Sequence, residues 1–112
     1  MYKVIMEEPA TSDLRGLHNY VAETLKVPAA AQRIYMSIKA QVKTLDQNPQ
    51  RCKVVDEEPF RTLGTRLLHV ENYIAFFVID EKNKKVHVLR ILYNRREWQS
   101  ILNCEQIPPV VD

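Results

Sequence analysis

The chain has 112 residues, of which 46% are hydrophobic and only two are glycine. This predicts one packed domain and excludes a disordered or low-complexity protein. The net charge of +2 is too small to argue for nucleic-acid binding by itself, but the charges are unevenly spread. Lys82, Lys84, Lys85, Arg90, Arg95 and Arg96 follow one another with no acid between them, whereas acids cluster at Glu7-Glu8 and Asp56-Glu57-Glu58. A polarised molecule with a basic patch at one end of a hairpin is therefore expected.

In chain order, Tyr2-Lys-Val-Ile-Met6 alternates as a short strand, closed by Glu7-Glu8-Pro9 because proline cannot donate to a ladder. Thr11 and Ser12 are suitable helix N-caps, and Asp13 suits a first helical turn. Leu14, Leu17, Val21 and Leu25 fall at helical spacing, so a first helix is predicted from about Asp13 to Thr24, with His18 and Tyr20 on its border. Pro28 suits the start of a second helix, Ala29 to Leu45, whose apolar side is Ala31, Ile34, Tyr35, Ile38, Val42 and Leu45. The short connector predicts an antiparallel helix hairpin, stopped by Asn48-Pro49.

Gln50 to Leu63 reads as a solvated polar loop. Gly64 to Glu71 reads as a strand, with Arg66, Leu68 and Val70 on one face and Leu67, His69 and Glu71 on the other. Tyr73–Asp80 and Val86–Tyr93 then form a β-hairpin, its connector long enough for a loop of about four or five residues rather than a two-residue turn. The hairpin strands are apolar on both faces, which predicts a central position covered on both sides, one cover coming from the helices and the other from a partner. Asn94 is a candidate cap for a last helix, Arg95 to Leu102, that turns Trp98, Ile101 and Leu102 inward, before a loose tail over 104–112. The order is β-α-α-β-β-β with an optional final α, a small α+β domain with an antiparallel sheet backed by two helices and an apolar outer sheet face left for a partner.

Cys52 and Cys104 have no metal-ligand spacing and read as free thiols in a reducing cytosol rather than as a disulfide. With no signal core and no apolar run long enough to span a membrane, a cytoplasmic protein is expected. The chain has no glycine-rich phosphate loop, metal cluster or nucleophile triad, so no cofactor or metal is expected.

Several features in this order resemble the RelE/ParE superfamily of bacterial type II toxin–antitoxin toxins. They are the opening Tyr2-Lys-Val-Ile, Asp13-Leu-Arg before Tyr20-Val-Ala, and Pro59-Phe-Arg61 with Gly64-Thr-Arg-Leu67. Val70-Glu-Asn-Tyr73, Phe76-Phe77 before Asp80-Glu81, and Val88-Leu-Arg-Ile-Leu-Tyr-Asn-Arg-Arg-Glu-Trp98 carry it further, so that it covers nearly the whole chain. The resemblance implies a toxin held inactive by a cognate antitoxin whose C-terminal segment wraps it. The expected contacts are Tyr73, Phe77, Leu89 and Ile91, beside the basic patch.

The superfamily implies two chemistries. RelE-like members cleave messenger RNA at the ribosome without a metal, and ParE-like members poison DNA gyrase. Metal-free cleavage needs a base, an acid and cations on the phosphate. Glu71 or His69 is the candidate base, Tyr93 or His87 the acid, and Arg66, Arg90, Arg95 and Arg96 the phosphate holders, with Lys84 and Lys85 adding to a target or nucleic-acid surface. As a group, Arg66, Tyr93, Arg95 and Arg96 are expected at one end of the sheet. Each has a structural reading beside the functional one: exposed histidines, a sheet-supporting arginine at 90, and Tyr93 packed on Trp98. RelE-type nucleases usually carry an arginine where this chain has Tyr73, which has no fixed positive charge. The chain's ending looks more like the ParE branch. ParE-like inhibition of gyrase is therefore put ahead of the ribosome-dependent nuclease, with an inactive relative that only binds a partner or nucleic acid as the third reading.

Overall fold

The computed structural model describes residues 1–94. Strand β1 (Lys3–Met6) leads without a loop into helix α1 (Glu8–Asn19), which continues as a π-turn over Tyr20–Thr24. Helix α2 (Pro28–Lys43) ends in a 3-10 turn, Thr44–Asp46. After a second 3-10 turn, Pro49–Arg51, and a one-turn helix α3 (Phe60–Leu63), strands β2 (Arg66–Val70), β3 (Tyr73–Asp80) and β4 (Lys85–Tyr93) complete the fold. The α+β order and the helix-backed sheet agree with the sequence expectation. The predicted last helix, Arg95 to Leu102, lies outside the described residues.

The sheet order is β1-β4-β3-β2. The last three strands are antiparallel, while β1 pairs parallel with β4, Lys3 opposite Lys85 and Met6 opposite Val88. Parallel neighbours need a long crossover, and both helices lie within it. The β3–β4 register slips between Phe76 and Phe77 of β3, leaving Leu89 of β4 as the extra residue of a bulge. The slip explains why Val86, Val88 and Ile91 all face the helices although their spacing is uneven.

The helix-side core joins Ala10 and Leu14 of α1 and Ile38 and Val42 of α2 to Phe77, Val86, Val88 and Ile91 of the sheet. Helix α1 starts five residues before its expected start. Pro9 sits in its first turn, where the missing N–H has no helical partner to lose, and Ala10 is fully buried there. Thr11 is thus inside the helix, donating its N–H to the Glu7 carbonyl at 3.0 Å, rather than capping it. The expected end at Thr24 is a π-turn, closed by Leu25 N–H to Tyr20 C=O at 3.0 Å and by Lys26 at φ 59°.

The largest correction concerns Gln50 to Leu63, which is not a solvated loop. Val54 bridges Arg66 at the edge of β2, and the Leu67 N–H donates to the Lys53 carbonyl at 3.1 Å. From there the chain folds over the second sheet face and buries Val55 and Phe60 (each 1% exposed) against Ile74, Phe76 and Leu92. The face expected to be bare for a partner is covered there by the chain itself. The acidic run Asp56-Glu57-Glu58 had hidden the two apolar residues on either side of it.

Candidate functional site

The clearest recess opens where α1 and its π-turn overhang the end of the sheet formed by the start of β3 and the end of β4. Tyr73 and Tyr93 are directly paired across the two strands, and their rings meet edge to face at 5.5 Å. Tyr20 and Leu25 rise from the π-turn on the other side, and Leu17, Val21 and Ile91 form the floor of a cavity of about 640 Å³. The rim is solvent-facing: Tyr20 is 55% exposed, Leu25 52% and Tyr93 50%. π-turns often mark functional positions. Here the wider turn carries two large apolar side chains to the surface at one place. Burial, with the neighbouring Tyr93 and then Glu71 and Tyr20, holds the Tyr73 hydroxyl above its usual range, so it is a neutral donor.

Asp13 sets the inner wall. Its carboxylate accepts from Arg90 Nε at 2.7 Å and Nη2 at 2.9 Å, and from the Ile91 backbone N–H at 3.0 Å. Strand β1 stops at Met6, so β4 beyond Val88 is without a strand neighbour on that side. The Asp13 carboxylate fills that role and ties α1 to the sheet. A second, smaller groove of about 340 Å³ lies between β1, α1 and α2, floored by Val4, Met6 and Ile38, with Lys39 and Lys43 at its lip.

Of the residues singled out from the sequence, the structure brings Glu71, Tyr73 and Tyr93 to the same end of the sheet. Glu71 stands in the two-residue β2–β3 turn at φ 55°, and both its oxygens accept from Arg33 of α2 at 3.0 Å. Arg66 is elsewhere. It lies opposite Phe77, well along the strand from the Tyr73–Tyr93 pair, and donates to the carbonyls of Gln50 (3.1 Å) and Cys52 (2.6 Å). His87 bonds Glu7 through Nδ1 at 2.7 Å, and His69 is exposed on β2. Lys84 and Lys85 belong to the β3–β4 turn at the opposite end of β4 from Tyr93. Lys84 sits 3.6 Å from Glu81 and over the Tyr2 ring. Among the described residues the basic run is therefore divided between the start of β4 and Arg90, five residues along the strand and roughly 17 Å away. Arg95 and Arg96 lie outside the described residues, so the expected cluster reduces there to Arg66 and Tyr93, which are apart. Phe77 (0% exposed), Leu89 (4%) and Ile91 (3%) are core residues, so the proposed antitoxin contacts keep only Tyr73 at an open rim.

Sequence reading missed the rim because Tyr20 and Leu25 were assigned to a regular helix, in which Leu25 would point inward. Asp13 was read only as a helix-start charge, since its partners Arg90 and Ile91 lie far along the chain. Among the described residues, no three His, Cys, Asp or Glu side chains are placed to hold a metal ion, and no helix is long and apolar enough to cross a membrane.

Comparison with known proteins agrees with this architecture. The family model described as the ParE toxin of the type II toxin–antitoxin system parDE matches residues 4–98. A structure of the chromosomal ParDE system from P. aeruginosa superposes with a TM-score of 0.70 at 26% identity, covering 85% of this chain and 98% of that one. The RelBE2 toxin–antitoxin complex of Mycobacterium tuberculosis (TM-score 0.61, 23% identity, 83% and 98% coverage) has the same fold. So does the isolated E. coli RelE toxin (0.52, 16%, 94% and 100%). No curated protein sequence matches.

Proposed function

The chain belongs to the ParE toxin family of type II toxin–antitoxin systems, and from that membership we propose that it inhibits DNA gyrase and is neutralised by an antitoxin seated in the Tyr20–Tyr73–Tyr93 recess. A toxin of this class has a cognate antitoxin as partner. The recess suits it. Half-exposed tyrosines over an apolar floor are the chemistry of binding hot spots, since they bury area and keep a polar tip.

What supports the gyrase reading is that, among the described residues, the candidate cations Arg66 and Arg90 are engaged away from the sheet end that Glu71 and Tyr93 share. Cleavage without a metal requires a base, an acid and cations converging on one phosphate. Glu71 is held by Arg33, Arg66 by loop carbonyls, Arg90 by Asp13 and His87 by Glu7. Each is engaged within the fold at a different place, and Tyr73 offers no fixed charge to a phosphate.

The test is induction of the full-length chain in a bacterial host, followed by transcript mapping and by a supercoiling assay with purified gyrase. Filamentous cells with broken DNA, intact messages and inhibited supercoiling are expected, with growth restored by the antitoxin. Messages cut within translating ribosomes, with supercoiling unaffected, would overturn the reading in favour of RelE-like cleavage.

A further inference from the structure

The outer seam of the helix hairpin carries chemistry that the toxin reading does not use. Helix α2 holds Arg33, Lys39 and Lys43 and not one acidic residue. Arg33 is paired with Glu71, whereas Lys39 and Lys43 are exposed and form no ion pair among the described residues. Across the seam, α1 contributes Arg15 and His18. These two, with Gln32 and Tyr35 of α2, line a concavity of about 230 Å³ that contains no aliphatic and no acidic side chain. The His18 ring meets Tyr35 edge to face at 5.5 Å, and the Lys39 ammonium stands 5.3 Å from the centre of the Tyr35 ring. The Tyr35 ring, which also lines the concavity, thus braces the Lys39 cation. Every lining side chain can offer an N–H or O–H donor.

We propose that this seam is a site for the phosphate backbone of a nucleic-acid strand. Arg15, His18, Gln32 and Tyr35 enclose one phosphate, and Lys39 and Lys43 receive its neighbours. Tyr35, Lys39 and Lys43 are four residues apart along α2, so they form one line with a step of about 6 Å. The two cations of that line, Lys39 and Lys43, match the spacing of neighbouring charges on a strand, as electrostatic binding requires. An acidic amphipathic peptide anchored in the neighbouring groove floored by Val4, Met6 and Ile38 would use Lys39 and Lys43 but not Arg15 or His18, so sensitivity to Arg15→Glu separates the two occupants. The site is apart from the tyrosine recess and does not rest on the assignment of gyrase as target.

The test uses the purified full-length chain with fluorescent single-stranded DNA and RNA oligonucleotides, titrated over a range of salt. Binding that falls steeply with salt is expected, with Arg15→Glu and Lys39→Glu each weakening it at least about 10-fold. Loss of one cation should also flatten the logarithmic salt slope by about one. Arg15→Gln, a milder change at an exposed position, should give the same direction, and Lys82→Glu at the distant β3–β4 turn should change little. Circular dichroism checks that each variant is folded. Absence of oligonucleotide binding at low salt would overturn the proposal. So would equal losses in Lys82→Glu and Lys39→Glu, or polyglutamate binding as tightly as the oligonucleotides with the same sensitivity to Arg15→Glu. Growth arrest on induction is a separate readout, so failure here leaves the toxin reading untouched.

Discussion

Individual side chains divide sharply by how much water they keep. The Asp13–Arg90 pair is 16% and 14% exposed and also satisfies the Ile91 N–H. Removing one partner strands the other charge in a poorly hydrated place. Asp13→Ala should cost about 3 kcal/mol in urea unfolding. The Arg33–Glu71 pair has similar distances but is 63% and 35% exposed, and Arg33→Ala should cost less than about 1 kcal/mol in the same assay. A pH effect belongs to Asp80. The Asn83 amide donates to it at 2.9 Å and, more than any other group, holds its carboxyl below the ordinary range near 3.8. A depressed folded value means that the stabilisation is complete above the unfolded value and disappears as pH falls through the folded one. Asn83→Ala should therefore lower the unfolding free energy at neutral pH and flatten its fall below about pH 4, so that the two proteins converge in acid. None of these partnerships was legible in the sequence, because Asp13 and Arg90 are brought together only by the sheet. Asp80 and Asn83 were visible merely as a turn.

At the level of elements, the sequence was legible where periodicity governs. The two helices, the hairpin and its four-residue connector all follow from spacing and from proline placement. Helix α2 begins at Pro28, as its fixed φ favours. The misread element was the segment from Gln50 to Leu63, where two isolated apolar residues do the packing and no period betrays them. Its importance can be measured. Phe60 is 1% exposed against Ile74, Phe76 and Leu92, so Phe60→Ala should lose about 3 to 5 kcal/mol by transfer and cavity terms together. A loss under about 1 kcal/mol would mean that the segment is a loose flap and that the sheet face beneath it is available after all. The bulge at Leu89 was equally invisible, since an extra residue in a doubly apolar strand leaves no trace in the hydrophobic pattern.

For the molecule as a whole, the surface is organised around α1: aromatic recess on one side, basic seam on another. The family was legible from ordered motifs, whereas three of the four expected antitoxin contacts, Phe77, Leu89 and Ile91, are buried and only Tyr73 lines the recess at its open rim. If the tyrosine recess is where the antitoxin sits, Tyr20→Ala and Tyr93→Ala should each weaken the complex by about 2 kcal/mol, roughly 30-fold. Calorimetry of the purified pair would show this. Their half-exposed positions predict little change in the stability of the free chain. The parallel pairing of β1 with β4 has a temporal consequence as well. Lys3 leaves the ribosome long before Lys85 is made, and at ordinary bacterial rates the wait is roughly 4 to 16 s. Throughout that interval the first strand has no mate within its own chain, so the mature shape, and any harm it does the host, must await the synthesis of β4.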